Sequence, residues 1–323
     1  MPGFVDLQVN GWRGIDFCHP DLTEDGVVEA CRLLAAGGTA AFLPTVITND
    51  PSTYEHNLPL LARVMKRREF RGRLLGIHLE GPFLSPEPGA IGAHNPKLVQ
   101  KPDVQRLRRL LDLADGEVRL LTVAAERPGM EPVIREAVRR KIAVSVGHSL
   151  ALEADMARAA DAGATLLTHL GNGIPNMVNR HRNTIWAGLA EDRLTAMIIT
   201  DGHHLPPAVI KTILRAKGVD RTIVVSDSSP IGGMPPGRYH KLGIDAVLEP
   251  SGLLHNPERQ CLCGSSACML TCMNHLASLK VLDLAGLIKV GFTNPLRAIG
   301  IRPGALPKGP GLEFDVKKHS FSV

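Results

Sequence analysis

The feature that most constrains this chain is a regular alternation of short apolar runs with amphipathic segments. The apolar runs cover residues 3–11, 39–48, 74–81, 118–126, 142–149, 165–172, 195–202 and 222–229. Between them, helical periodicity recurs in residues 24–38, 103–114, 132–141, 153–163 and 206–218. Eight strands that alternate with helices predict an α/β fold, a (β/α)8 TIM barrel.

Polar side chains stand where these apolar runs end. In a (β/α)8 barrel the carboxyl ends of the strands meet at one face, which carries the active site. The polar residues at these ends are Gln8, Asn10, Glu80, Glu126, His148, His169, Asp201 and Asp227. We therefore expect them to converge at the mouth of the barrel.

Three of these residues have the character of metal ligands. A carboxylate such as Glu80, at the tip of an apolar strand, is costly unless it meets a compensating charge. Alone, Glu80 would be read as a helix cap, and His148 or His169 as a structural histidine. Together at separate strand ends, they predict a divalent metal site with a fourth position open to water. Asp227 is then free to transfer protons.

The composition indicates which classes of ligand the chain can be expected to bind. The net charge of +5 and the pI of about 9.0 mildly favour an anionic ligand. The densest basic run, residues 63–73, lies at the end of a predicted helix, where cations are favourable. Because no stacking aromatic residues alternate with these charges, we expect no nucleic-acid partner.

The amino-terminal segment and the cysteines indicate in which cellular compartment the protein is expected. Residues 1–12 lack the basic start and long apolar run of a signal peptide or membrane span. Four of the six cysteines fall within residues 261–272, at spacings that match no standard zinc or iron–sulfur pattern. We interpret them as small buried thiols. We expect a cytoplasmic, reduced protein without a membrane partner.

Seven short motifs, taken in order, carry a family resemblance. They are "PGFVDLQVNG", "GIHLEGPF", "GAHNPKLVQKPD", "VSVGHS", "THLGNGIP", "DGHH" and "VSDSSPIGG". Their combination resembles the N-acetylglucosamine-6-phosphate deacetylases of the amidohydrolase superfamily. The resemblance implies a metal-dependent barrel with a small β-sandwich. It implies a reaction that hydrolyses the acetyl amide of N-acetylglucosamine 6-phosphate to glucosamine 6-phosphate and acetate.

The resemblance also implies roles for individual residues. Glu80, His148 and His169 match the ligands of a single divalent metal ion, which we expect to be Zn²⁺. Asp227 matches the acid/base residue, and His94 of "GAHNP" matches the group that polarises the amide carbonyl. The superfamily's His-x-His pair is replaced by Gln8 and Asn10, so we expect one metal ion rather than two.

The substrate contacts implied by the resemblance lie on the segments that follow strands six and seven. Asn172 matches a substrate-binding asparagine, and Gly173 beside it offers a backbone N–H. His204 and one arginine match the phosphate-binding residues. Counting back from "WAGLAED" gives Arg182 and counting forward from His169 gives Arg180; we prefer Arg182. The implied partners are an amino sugar phosphate and a second copy of the chain, in a homodimer.

The chain departs from the family at its ends. We assign residues 1–303 to the barrel and residues 304–323 to a short tail, a remnant of the small β domain. We expect the accessory sandwich to be missing or reduced. Two alternatives remain: an amidohydrolase acting on an unphosphorylated N-acyl amino sugar or another amide, and a non-catalytic barrel that binds sugar phosphates.

Overall fold

A sheet of eight parallel strands forms the centre of the molecule. The computed structural model describes residues 1–307, 309 and 311–323. The strands are β1 Phe4–Val9, β2 Thr39–Ile47, β3 Ile77–Glu80, β4 Val118–Val123, β5 Ala143–Val146, β6 Leu166–Leu167, β7 Thr195–Ile199 and β8 Thr222–Val225. Each lies inside one of the eight predicted runs, and they neighbour one another in chain order. The predicted (β/α)8 barrel is confirmed.

The barrel closes between its first and last strands. Val9 at the end of β1 forms a parallel bridge with Ser228, just after β8. The backbone N–H of Asn10 donates to the carbonyl of Ser228 at 2.8 Å. This contact lies at the carboxyl ends of the strands, so Asn10 and the residues beside Ser228 face the same mouth.

Helices surround the barrel in the expected order. The α-helices are α1 Glu24–Ala36, α2 Pro51–Met65, α3 Val104–Leu113, α4 Met130–Arg139, α5 Glu153–Ala162, α6 Thr184–Ala190, α7 Pro207–Lys217, α8 Met269–Ser278, α9 Leu284–Ile288 and α10 Asn294–Ala298. Short 3₁₀ turns occupy Arg68–Phe70, Pro96–Leu98, Val219–Arg221 and Pro303–Ala305, and a π turn, Lys289–Thr293, joins α9 to α10. None of the helices in the described part of the chain combines the length and apolar character that crossing a membrane requires.

The interior of the barrel changes from apolar to polar toward its mouth. Ala41 and Leu43 of β2 and Leu120 of β4 belong to an apolar cluster that joins strands on all sides of the barrel. Two residues further along the same strands, on the same face, stand the buried hydroxyls of Thr45 and Thr122. The lower barrel therefore supplies packing, and the upper barrel supplies hydrogen bonds beneath the mouth.

A small antiparallel sheet is inserted between β8 and α8. Its strands are β9 Gly237–Lys241, β10 Ile244–Leu248, β11 Leu254–Asn256 and β12 Cys261–Leu262. It has its own apolar cluster, in which Ile231 packs with Ile244, Leu248 and Leu254. The apolar runs of the sequence predict no strand in this segment.

The last residues form a hairpin on the amino-terminal side of the barrel. Its strands are β13 Glu313–Asp315 and β14 Ser320–Ser322. Phe321 packs edge-on against Phe4, with ring centroids 5.0 Å apart. The interpretation of residues 304–323 as a domain remnant stays a prediction.

Candidate active site

The four predicted catalytic and metal-binding strand-end residues share one local construction. Glu80 is the last residue of β3, and His148, His169 and Asp227 each follow the end of a strand by two residues. All four are buried. The three that follow a strand have left-handed backbones, with φ of +48°, +30° and +48° respectively. This conformation is uncommon for residues other than glycine, and it turns the chain at the point where each side chain enters the mouth.

Glu80, His148 and His169 form a compact cluster of ligand atoms. The Nε2 atom of His169 lies 3.1 Å from Oε1 of Glu80 and 3.1 Å from Nε2 of His148. The Nε2 atom of His148 lies 3.4 Å from the same oxygen of Glu80. One ligand atom from each residue falls within 4.8 Å of the others. Two imidazoles and one carboxylate are a donor set that divalent zinc accepts in catalytic sites.

The hydrogen bonds around His148 indicate that its Nε2 atom is free to bind a metal. Its Nδ1 lies 2.8 Å from the carbonyl oxygen of Ala90. Because a carbonyl can only accept, Nδ1 carries the proton and Nε2 presents a lone pair. Two imidazole nitrogens and a carboxylate oxygen then face one point, where a cation satisfies all three. The residues present fit a divalent metal ion.

The carboxylate of Glu80 is held by groups on three sides. Gln8 donates from Nε2 to Oε1 of Glu80 at 2.9 Å. Burial alone would raise the pKa of Glu80, but its interactions with the imidazoles of His148 and His169 hold this pKa well below its ordinary value. Glu80 is therefore ionised. Gln8 therefore supports this carboxylate from the end of β1.

A buried chain of polar side chains forms the floor beneath the cluster. His78 lies 3.3 Å from Oγ1 of Thr45 and 2.8 Å from Oγ1 of Thr122. Thr122 continues to Thr168 at 2.7 Å, and Thr168 donates to Ser145 at 2.6 Å. Such a satisfied network fixes the spacing of the strands that carry the ligands.

Asp227 lies beside the cluster and is suited to proton transfer. Asn10 donates to its Oδ1 atom at 2.7 Å. Burial, reinforced by the negative charge of Glu80, raises the pKa of Asp227 to about 6. A carboxyl with a pKa near neutrality can accept a proton and return it. The positions of Gln8 and Asn10 were visible in the sequence, but their pairing with Glu80 and Asp227 was not.

His94 is brought to the same cluster from the long loop after β3. Its Nε2 lies 3.2 Å from Nε2 of His148 and 3.8 Å from Oε2 of Glu80. Burial, followed by its electrostatic interaction with His148, lowers the pKa of His94 to about 3. His94 is therefore neutral and retains one N–H to donate.

A cavity of about 1070 Å³ opens above these residues. Asn172, Gly173 and His204, the predicted substrate contacts, line it together with the metal cluster. His204 is held by Asp201, whose Oδ2 lies 2.8 Å from its Nδ1. Burial alone would raise the pKa of Asp201, but its hydrogen bonds with His204 keep this pKa well below the ordinary range.

The predicted phosphate-binding arginine is placed differently. Arg182 is exposed, and neither it nor Arg180 is among the described residues that line the cavity. The backbone N–H of Arg182 donates to Oδ1 of Asn179, within an exposed loop. The structure does not bring Arg182 together with the other site residues, and its role in phosphate binding stays a prediction.

The inserted sheet supplies a second wall that sequence reasoning missed. We call it the outer wall; the residues of this segment that line the cavity are Leu242, Leu253, His255, Asn256, Pro257, Arg259, Gln260, Cys261, Leu262, Cys263 and Gly264. Cys263 and Cys272 are buried as expected, but Cys261 and Cys268 are only partly buried. All six cysteines are free. The dense polar and cysteine content of residues 255–263 was the available signal.

Comparison with known sequences finds one family and, among the relatives, amino sugar phosphate deacetylases. A model of the amidohydrolase family matches residues 1–310. N-acetylglucosamine-6-phosphate deacetylase from Homo sapiens is 33% identical over 339 residues, which cover 100% of this chain and 80% of that protein. N-acetylgalactosamine-6-phosphate deacetylase from Escherichia coli O157:H7 is 28% identical over 302 residues, which cover 93% of this chain and 78% of that protein.

Comparison with solved structures agrees. The crystal structure of N-acetyl-D-glucosamine-6-phosphate deacetylase from Mycobacterium smegmatis superposes with a TM-score of 0.88 at 30% identity, covering 99% of this chain and 84% of that one. An aspartate-to-alanine mutant of the same enzyme, in complex with N-acetyl-D-glucosamine-6-phosphate, superposes equally well at 29% identity, covering 99% of this chain and 83% of that one. The similarity therefore extends over the barrel and the outer wall alike.

Proposed function

This chain belongs to the amidohydrolase family, and from that premise we propose that it removes the N-acetyl group from N-acetylglucosamine 6-phosphate. The products are glucosamine 6-phosphate and acetate. One observation carries the proposal: Glu80, His148, His169 and Asp227, from four different strands, converge in a single cavity. Relatives that span the whole chain bear the same activity in their names.

The metal ligands in this proposal are Glu80, His148 and His169. The fit of two imidazoles and one carboxylate favours Zn²⁺. When bound there, the ion supplies positive charge that acidifies water and offsets charge on the acetyl oxygen. The chain's own contribution is to present two imidazoles and one carboxylate to a single point above a hydrogen-bonded floor, with Gln8 orienting Glu80.

Asp227 is the proton carrier of the reaction. Its carboxylate accepts a proton from the attacking water and later gives that proton to the leaving amine. An amine leaves poorly unless it is protonated, so this return is needed for the C–N bond to break. Asn10 holds the carboxylate in position through its 2.7 Å hydrogen bond.

His94 stabilises the oxygen of the acetyl group. Its low pKa keeps the imidazole neutral, so it offers an N–H without adding charge to the ground state. Its Nε2 lies 3.8 Å from Oε2 of Glu80, so the imidazole lies beside the metal-ligand cluster at which the acetyl group would bind. A donor placed where negative charge develops lowers the barrier of acyl transfer.

Substrate binding beyond the acetyl group involves Asn172, Gly173 and His204, which line the cavity. Arg182 remains a candidate for the phosphate from the neighbouring loop. We further propose a cytoplasmic enzyme, which the six free cysteines support, and a homodimer.

An acetate-release assay on four sugars tests the function. The substrates are N-acetylglucosamine and N-acetylgalactosamine, each with and without the 6-phosphate, because one relative acts on the galacto epimer. We expect the highest kcat/KM for N-acetylglucosamine 6-phosphate. No release from any of the four, by metal-loaded protein, would contradict the proposal. Preference for an unphosphorylated sugar would favour the alternative amidohydrolase.

A further inference from the structure

Two thiols of the outer wall face the cavity. All six cysteines lie in the described part of the chain, and of these only Cys261 and Cys263 line the cavity. Cys263 is buried, whereas Cys261 is only partly buried. A small molecule that enters the cavity can therefore reach the thiol of Cys261, and Cys263 lies within two residues of it.

The two cysteines stand at the end of a short strand. Cys261 and Leu262 form β12, and residues two apart in an extended chain project from the same face. The Sγ atom of Cys263 lies 4.0 Å from the backbone carbonyl oxygen of Cys261. Two residues of a strand span about 6.6 Å, close to the upper limit of about 6.8 Å that a disulfide bridges between Cα atoms. A disulfide here needs only a small movement of the backbone.

The surroundings of Cys261 favour its thiolate, which is the nucleophile in disulfide exchange. Interaction with the thiol of Cys263 lowers the pKa of Cys261 to about 7, and the positive charge of Arg259 contributes to this. Burial has the opposite effect elsewhere in the chain, where it raises the pKa of Cys31 to about 12. At neutral pH, Cys261 is therefore ionised to a large extent and Cys31 is not.

The guanidinium of Arg259 is not neutralised by an acidic side chain. Its Nη1 makes long contacts with the carbonyl oxygens of Ala93 and His94, at 3.5 and 3.4 Å. No carboxylate in the described part of the chain forms an ion pair with it. The backbone N–H of Arg259 donates to Oδ1 of Asn256 at 2.7 Å, which holds the residue on the sheet. Its charge therefore remains available to the thiolate of Cys261, two residues further along.

The backbone that follows the thiols leads directly to Asp227. Gly264 packs so closely there that an added Cβ atom would lie 2.8 Å from the backbone oxygen of Asp227. The backbone N–H of Ser265 donates to the same oxygen at 2.8 Å. A movement of Cys263 toward Cys261 is therefore transmitted through one glycine to the backbone that carries Asp227.

We propose that Cys261 and Cys263 form a redox-modification site, at which a small-molecule disulfide converts the two thiols to an intrachain disulfide. The thiolate of Cys261 attacks one sulfur of the small disulfide, whose S–S bond breaks and releases one thiolate. Cys263 then attacks Sγ of Cys261, gives up its proton and expels the second small thiol. The two cysteines lose two electrons and two protons, which the small disulfide gains as it becomes two thiols.

The span of this disulfide makes it reversible. A disulfide close to its geometric limit is more easily reduced than a relaxed one, as is typical of regulatory disulfides. In a reducing compartment it would form only under oxidising conditions. Because Asp227 carries the proton in the proposed function, the oxidised form should hydrolyse its substrate more slowly. Only this effect rests on the proposed function; the redox site itself does not.

Mass spectrometry of the intact, metal-loaded enzyme after treatment with hydroxyethyl disulfide tests the site. Wild type should lose two hydrogen atoms and keep no adduct. Cys263→Ser should keep one adduct, because no second thiol expels it, and Cys261→Ser should show neither change. Cys268→Ser is the matched control, since Cys268 is also partly buried but does not line the cavity, and it should behave as wild type. An unchanged mass in wild type, or the same change in Cys261→Ser, would overturn the proposal.

Two arginine variants test why Cys261 is reactive. Arg259→Met should slow the exchange by about two- to fivefold, because the cation that stabilises the thiolate is lost. Arg238→Met is the matched control, because Arg238 is an exposed arginine of the same sheet that does not line the cavity. Equal rates of exchange in the two variants would contradict the contribution of Arg259.

Acetate release before and after treatment measures the consequence for hydrolysis. Oxidised wild type should release acetate about 10- to 100-fold more slowly, because a small displacement of a catalytic group has an effect of this size. Dithiothreitol should restore the rate, and Cys261→Ser should keep its own untreated rate. An undiminished rate in oxidised wild type would refute the link to Asp227. If untreated wild type releases no acetate, the proposed function fails, and the mass measurement still decides whether the redox site exists.

Discussion

The two ends of the cavity are built in different ways. At the inner end, Glu80, His148, His169 and Asp227 are buried at the ends of barrel strands and held by short hydrogen bonds. On the outer wall the residues come from one inserted sheet and are more exposed. There, Arg259 contacts its carbonyl partners only at 3.4 and 3.5 Å.

This difference separates the reaction from the choice of substrate. Hydrolysis of an amide needs ligands and a proton carrier at fixed spacing, and the closed barrel supplies that spacing. Recognition of the rest of the sugar needs a surface that can vary, and an insertion between β8 and α8 can vary without altering strand register. The comparison predicts that substitutions of the strand-end residues abolish amide hydrolysis, whereas substitutions on the outer wall change the affinity for substrate.

The largest expected effect is loss of the metal. Wild type should bind about one divalent ion per chain, and His148→Ala combined with His169→Ala should bind none and release no acetate, because only Glu80 remains of the three ligands. The matched outer variant, Cys261→Ser with Cys263→Ser, should keep full metal content. Elemental analysis of purified protein measures both. Two tightly bound ions per wild-type chain, or full metal in the histidine variant, would refute the mononuclear site.

The next effect is on proton transfer alone. Asp227→Asn should keep the metal and lower kcat by about 10²–10⁴-fold, because an amide can accept a hydrogen bond but cannot carry the proton. Arg238→Met serves as the outer control. Turnover close to wild type in Asp227→Asn would place proton transfer elsewhere, with Asp201 or Glu126 as the residues to examine.

A smaller effect should follow when a supporting group is removed. Gln8→Met keeps the volume of the side chain but removes the donor that holds Oε1 of Glu80 at 2.9 Å. Metal affinity should fall by about 10- to 100-fold, as for other groups that orient a ligand. Competition with a chelator measures this change. Unaltered affinity would mean that the two histidines and the floor alone orient Glu80.

The smallest effect is a graded dependence on pH. The pKa of Asp227 is raised to about 6 by burial and by Glu80, and only its ionised form accepts a proton. Thus kcat should be constant above this pKa and fall about tenfold per pH unit below it. A bound cation offsets the charge of Glu80, so the midpoint should lie at or below pH 6. A kcat profile measured with enzyme kept metal-saturated checks this. Activity that rises on acidification would contradict the assignment of a base.

The sequence was sufficient for the barrel and for the inner end. Strand-end polar residues such as Glu80 and His148 could be predicted to meet because parallel strands place their carboxyl ends on one face. The outer wall could not be predicted in this way. Its strands are three to five residues of mixed polarity, or two in β12, and the position of Arg259 depends on chain reversals that leave no periodic pattern.

Arg259 lines the cavity and Arg182 does not, and this difference also could not be predicted from local sequence patterns. The motif that singles out Arg182 is local, whereas access to the cavity depends on how residues 172–185 fold over the barrel. This segment follows Gly171 and contains Gly173, both with positive φ, and its path is set by tertiary contacts. A residue can therefore match a motif while another arginine, distant in sequence, faces the cavity.

The left-handed backbones of His148, His169 and Asp227 have a consequence for protein engineering. Each non-glycine residue in that conformation costs about 1–2 kcal/mol of folding free energy. A library screened only for thermal stability should therefore enrich glycine at these three positions, and each such variant would lose a proposed metal ligand or the proposed proton carrier. Engineering for higher thermal stability should therefore leave these three residues unchanged and substitute other positions.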